Sequence, residues 1–244
     1  MTGDPHDSGD THDPGEQPGQ CGKKCDARAN LGGRERLTRL ADFLFEAGML
    51  RKTPRTGYQF LGSGSENVAE HSFRTAVVGF VLAEMAGADA ERTAMLCLFH
   101  DLHEARTGDF NYVNHMYNSS RRTDALHDAL AGTGLTKRVL AFWHELEEVD
   151  TPEARLAQDA DQLDLILNLK EELDLGNAYA GKWLESALER LRTEEGKALG
   201  ARIVKTDHTD WWFKGPDASW WENKNGKRRK TPAADGSAGD TKKE

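Results

Sequence analysis

The run Glu66-Asn67-Val68-Ala69-Glu70-His71-Ser72 opens a helix. Asn67 with Glu70 three positions on has the form of an N-terminal capping arrangement, and the apolar residues behind it run to a stop near Gly87. Asp89 can cap the next helix, which carries Met95, Leu96, Leu98 and Phe99 to about Glu104. Working outward toward the N-terminus, Leu37, Leu40, Phe43, Leu44 and Ala47 recur at helical spacings ahead of Gly48, and Pro54, Gly57, Gly62 and Gly64 punctuate a loop from Arg51 to Ser65. Toward the C-terminus, a linker with Gly108 and Asn111 precedes two amphipathic stretches, Thr123 to Leu130 and Thr136 to Glu148. Thr151-Pro152 starts a long helix through Leu163, Ile166, Leu167 and Leu169 to Gly176, followed by stretches around Trp183 to Leu191 and Glu195 to Val204. No period-two strands and no internal repeat appear, so the pattern predicts an all-α fold.

With 244 residues, 37% of them hydrophobic and 30% charged, the chain can build one sizeable core. Residues 1–33 hold seven glycines, three prolines and almost no large apolar side chain, and read as a disordered tail. Residues 217–244 read as a C-terminal tail, disordered after about 222, leaving 34–216 as the single domain. The net charge of -9 is concentrated there: the N-terminal tail carries -3, the C-terminal tail +2 and the domain -8. That field opposes broad nucleic-acid binding and suits a site that collects cations. The longest apolar run, Ala76 to Ala83, is far short of the roughly 20 residues of a membrane span. No secretory signal marks the start, so a cytoplasmic location is expected. Cys21 and Cys25 lack a second ligand pair and are read as incidental, and Cys97 as core.

Polar residues that interrupt apolar helical faces need partners, because uncompensated burial is costly. His71 stands ahead of Phe73, Val77 and Val78 on its helix, and His100-Asp101 end the apolar run Ala94 to Phe99. Glu104 is four residues after His100, hence one turn along on the same helical face. Further on, Asp159, Asp161 and Asp164 crowd one stretch; Asp161 is preferred, although periodicity alone does not decide among them. Two imidazoles and two carboxylates would form a nitrogen/oxygen site suited to Mn, Co, Fe or Zn rather than calcium.

These segments, together with Thr107-Gly108-Asp109 and Ala160-Asp161, resemble the HD-domain metal-dependent phosphohydrolases, and most of all their 5'-deoxynucleotidase branch. The resemblance runs from about Leu37 to Gly200. It implies an all-α HD-domain helical bundle, commonly a homodimer, that hydrolyses 2'-deoxyribonucleoside 5'-monophosphates. It also implies that His71, His100, Asp101 and Asp161 bind one divalent ion (Mn, Co, Fe, Zn or Mg), that Glu104 is the general acid/base and that Asp109 helps hold the nucleotide. His115, His127 and His144 lack the pattern of a two-metal branch. Arg55-Thr56-Gly57-Tyr58 resembles the family's phosphate- and sugar-contacting loop, with Tyr58 where tryptophan is usual; a guanidinium such as Arg55 can take phosphate oxygens in a two-point grip. The implied partner is a small nucleotide, with neither nucleic acid nor membrane. The competing readings are another HD chemistry, on triphosphates or cyclic nucleotides, and a nucleotide-sensing module without turnover. Trp211-Trp212-Phe213 and Trp220-Trp221 are expected to anchor the chain end to the bundle or to bury a dimer contact.

Overall fold

The computed structural model describes residues 32–214, which are helical with no strand. Helix α1 (Gly33–Ala47) leads through two 3-10 segments, Gly48–Lys52 and Thr56–Phe60, into α2 (Val68–Ala86) and α3 (Ala90–Phe99). Short helices α4 (Glu104–Thr107) and α5 (Tyr112–Tyr117) follow, then α6 (Arg122–Leu130), α7 (Thr136–Glu148), the long α8 (Pro152–Asp174), α9 (Ala178–Leu188), α10 (Glu194–Val204) and α11 (Asp210–Phe213). No helix among the described residues is long and apolar enough to cross a membrane.

The capping chemistry read from the sequence is realised. Asn67 Oδ1 accepts from Glu70 N while the Glu70 carboxylate accepts from Asn67 N, and Gly87 closes α2 in the left-handed region at φ 69°. Asp89 accepts from Arg92 N, and Thr151 accepts from Ala154 N ahead of Pro152.

Helices α2, α3 and α8 pack most closely, and Gly79 marks their closest approach: a Cβ there would stand 2.5 Å from Cys97 Sγ. Leu82, Leu96, Leu163, Ile166 and Leu169 form the main core, while Phe43, Val68, Leu126, Leu130 and Trp143 form a second cluster. Phe99 packs against both, so the residues immediately after it emerge at their junction.

Several boundaries differ from the sequence reading. The α3 helix ends at Phe99 rather than near Glu104. His100 to His103 form a tight turn in which Leu102 N donates to Phe99 O and Glu104 N to Asp101 O, so His100 and Glu104 do not share one α-helical face. The Gly108/Asn111 linker contains α5, whose start Asn111 caps. The Trp183 to Leu191 stretch begins earlier, at Ala178, because Asn177 caps it by accepting from Tyr179 N. On α1, Phe43 is buried while Leu37 and Leu44 are exposed, so its apolar stripe is only partly covered. Trp211 is 82% exposed, and Trp212 and Phe213 are about half so, which does not match anchoring of these rings to the bundle. Trp220, Trp221, both cysteines at 21 and 25 and nearly all of the two tails lie outside the described residues.

Candidate metal centre

Four side chains, from α2, α8 and the turn after α3, meet at the junction of the two clusters. His71 lies in the first turn of α2, locked by the capping box; its Nδ1 faces Asp164 Oδ2 at 2.7 Å, leaving Nε2 aimed inward. His100 directs Nδ1 at the Cys97 carbonyl at 2.5 Å and likewise turns Nε2 inward. With each Nδ1 facing an acceptor, each Nε2 is left as the lone-pair side of its ring. The two Nε2 atoms are 3.1 Å apart. Asp101 Oδ2 is 3.1 Å from His100 Nε2 and 3.5 Å from His71 Nε2, and Asp161 Oδ1 is 3.1 Å from His71 Nε2 and 3.9 Å from His100 Nε2.

Two ring lone pairs and two carboxylate oxygens turned to one point repel each other unless a cation or protons lie between them. Adjacent ligands around an ion with bonds of about 2.1 Å are separated by about 3 Å, so the spacings among His71, His100 and Asp101 fit a small divalent ion, with Asp161 beside the His71 nitrogen. Protonation behaviour shows the same demand for positive charge. Burial lowers the His71 pKa, but hydrogen bonds to Asp161 and Asp164 outweigh it and push it up to about 10. His100 is raised despite its burial by Asp101, and Asp101 and Asp161 are held below the usual carboxylate range by the imidazoles and Arg55 despite theirs.

Glu104 is 8% exposed, and its Oε2 is buried with no hydrogen-bond partner. Burial, then the neighbouring Asp101 and Asp109 carboxylates, push its pKa well above the ordinary value and keep it protonated. Arg55 reaches the same place by a backbone route: Arg55 N donates to Glu66 O and Val68 N to Thr53 O, tying the loop to the start of α2. Its Nη1 contacts Asp101 Oδ2 at 3.3 Å and Asp109 Oδ1 at 3.1 Å. Asp109 Oδ2 accepts from the Thr56 amide and hydroxyl, so both Asp109 oxygens clamp the Arg55 loop.

Arg55, Tyr58 and Asp109 line a cavity of about 170 Å³, together with Phe110, Tyr112 and Trp183. The wall needs Gly57, whose Cβ would stand 3.1 Å from the Trp183 ring. Burial pushes the Tyr58 phenol up, so it stays neutral. A second cavity, of about 250 Å³, is lined by His100, Asp101 and the half-exposed Asp161.

The three acids of α8 have separate tasks. Asp161 joins the cluster, whereas Asp159 accepts from the backbone amides of Arg192 and Thr193 and holds the start of α10. Asp164 is the residue the sequence reading passed over: it holds His71 on one oxygen and the Arg74 guanidinium on the other. Asn168 and Glu66 complete this network, with Asn168 Nδ2 donating to Glu66 Oε2 at 3.0 Å. The available signal was an acid on the buried stripe of α8, one turn beyond Asp161. His103 is buried against Trp143, and His115 borders the aromatic cavity; neither joins the cluster.

The HD domain family matches residues 47–201 of the chain. Among curated proteins, the 5'-deoxynucleotidase HDDC2 of Danio rerio is 28% identical over 194 residues, covering 71% of this chain and 96% of the relative. The 5'-deoxynucleotidase YfbR of Escherichia coli is 31% identical over 150 residues, covering 54% of this chain and 74% of the relative. Among solved structures, a conserved hypothetical protein from Pyrococcus furiosus superposes with a TM-score of 0.59 at 26% identity, covering 68% of this chain and 99% of its own.

Proposed function

The chain belongs to the HD-domain family, and we propose on that basis that it is a 5'-deoxynucleotidase, a metal-dependent phosphomonoesterase that converts 2'-deoxyribonucleoside 5'-monophosphates to deoxynucleosides and phosphate. The observation that carries the reading is the convergence of His71 Nε2, His100 Nε2, Asp101 and Asp161 beside the unpartnered Glu104 Oε2.

His71, His100, Asp101 and Asp161 hold one divalent ion, of the Mn, Co, Fe, Zn or Mg class. A divalent ion in such a site supplies Lewis acidity that activates water and withdraws charge from phosphoryl oxygens. The protein's own groups do the rest. Arg55, kept charged by the surrounding carboxylates, faces the phosphate, and Asp109 fixes its position. Asp109 Oδ1, which among the described residues accepts only from Arg55 Nη1, retains a lone pair that can accept from a sugar hydroxyl. Tyr58, Tyr112 and Trp183 enclose the nucleoside and exclude water. Glu104, with its Oε2 unpartnered beside the cluster, is placed to pass a proton to the leaving 5'-oxygen as the P–O bond breaks. The substrate is a small nucleotide. A homodimer, implied by the family resemblance, would cover the exposed strip Phe73, Val77, Phe80 and Val81 on α2.

The test is phosphate release from 5' and 3' nucleotides, deoxy and ribo, each with Mn, Co, Mg and Zn. Orthophosphate released from deoxynucleoside 5'-monophosphates and lost in Asp101→Ala and Glu104→Ala is expected. Pyrophosphate or tripolyphosphate release from triphosphates would assign a different HD chemistry, and binding without turnover of any nucleotide would assign a sensing module.

A further inference from the structure

Two cavities that share no lining residue lie near the cluster: its contact residues Arg55 and Asp164 line the aromatic one, and its own His100, Asp101 and Asp161 line the other. The His71 ring bridges them: its Nδ1 meets Asp164, which borders the aromatic cavity, and its Nε2 meets Asp161, which borders the other. Besides His100, Asp101 and Asp161, the second cavity is lined by Arg122, Glu147 and Gln158. Arg122 is the first residue of α6 and partly buried, and its Nε donates to Ser120 Oγ at 3.3 Å. Among the described residues, no carboxylate lies within ion-pairing distance of Arg122, whereas Arg55, Arg74, Arg92 and Arg106 each hold at least one. Arg122 is thus a cation without a carboxylate partner, lining the same cavity as His100, Asp101 and Asp161, in a space that exceeds several-fold the roughly 30 Å³ of a water.

We propose that this second cavity is an orthophosphate site, in which the Arg122 fork binds the oxygens of the transferred phosphoryl group and holds the product phosphate before release. The inference rests on the deoxynucleotidase reading. Displacement at phosphorus places the attacking and leaving oxygens roughly in line on opposite sides. With the nucleoside in the aromatic cavity, water enters and phosphate departs on the Arg122 side. The balance is simple: the P–O5' bond breaks, a bond from phosphorus to the water oxygen forms, one proton ends on the 5'-hydroxyl and the other stays on hydrogenphosphate. Glu147, on the same wall, is placed to accept a hydrogen bond from that P–OH group. A guanidinium suits the task because its donors match two oxyanion oxygens at once.

The test titrates orthophosphate into the Mn-loaded wild-type, Arg122→Gln and Arg122→Lys proteins by calorimetry. In parallel, inhibition of dAMP hydrolysis by orthophosphate and by deoxyadenosine is measured. Arg122→Gln is expected to weaken orthophosphate at least about tenfold, the loss of a charged hydrogen-bonding partner. Mn affinity and deoxyadenosine inhibition should stay at wild-type values, and Arg122→Lys should recover part of the loss. Unchanged orthophosphate affinity in Arg122→Gln, equal weakening of both products, or no orthophosphate binding to wild type would each overturn the proposal. Should wild type hydrolyse no deoxynucleotide, the deoxynucleotidase reading fails by itself, and the calorimetric comparison still decides whether Arg122 binds phosphate.

Discussion

Replacing Asp164 with asparagine should damage metal binding without touching a ligand. Asp164 is fully buried and accepts chiefly from the His71 Nδ1–H at 2.7 Å and the Arg74 Nε–H, with a longer contact from Asn168 Nδ2 at 3.4 Å. Asparagine has the same shape but only one acceptor oxygen, and its amide nitrogen must face one of those donors. If the amide faces His71, the ring loses the partner that fixes its tautomer and aim; if it faces Arg74, a charged donor is stranded. Leaving a buried donor unsatisfied costs about 1–3 kcal/mol. For a domain of this size each kcal/mol moves Tm by about 2–4 °C, so a drop of about 2–12 °C is expected in the metal-free protein. Loss of a carboxylate behind a ligating histidine lowers metal affinity about 10–100-fold. The assay is a competition titration of Mn or Co against a chelating dye, paired with thermal melts with and without metal. Metal affinity within twofold of wild type, in a variant that still folds, would refute the claim that Asp164 sets the His71 ligand.

Glu104→Gln should lower turnover by about 10²–10⁴-fold through loss of proton transfer, with metal affinity by dye competition retained; turnover within tenfold of wild type would remove Glu104 from the mechanism. The stabilisation conferred by metal should grow with pH. The raised His71 pKa contributes stability that is fully present below the unfolded value of about 6.5 and is lost as pH rises toward about 10. The raised Glu104 pKa acts in the same direction, so metal-free melts should fall across pH 6.5–10 while loaded melts fall less, and a constant increment would contradict this. Gly79→Ala should destabilise by about 1–3 kcal/mol, read as a lower urea midpoint, because its methyl group would press on Cys97 Sγ and Thr93.

The sequence by itself determined the helices and most of their ends, because caps are local: Asn67 with Glu70, Asp89 and Thr151-Pro152 satisfy amide groups three residues away and need nothing from the rest of the chain. It also determined the family, since His71, His100-Asp101 and Asp161 recur in a fixed order whose pattern is carried by the chain alone. The turn at His100 was less legible, since an apolar run ending in polar residues reads alike whether the helix continues or tightens. The family pattern singled out Asp161 on α8, but the tasks of its neighbours Asp159 and Asp164 came only from the folded chain. Asp159, Asp161 and Asp164 look equivalent as a string, yet the packing of α8 against α2, α3 and α10 turns one to a loop, one to the ion site and one to the back of His71. The same holds for Arg55 and Arg122. Both are arginines in polar surroundings in the sequence, and only the folded chain gives the first a pair of carboxylates and leaves the second lining a cavity with the proposed metal ligands.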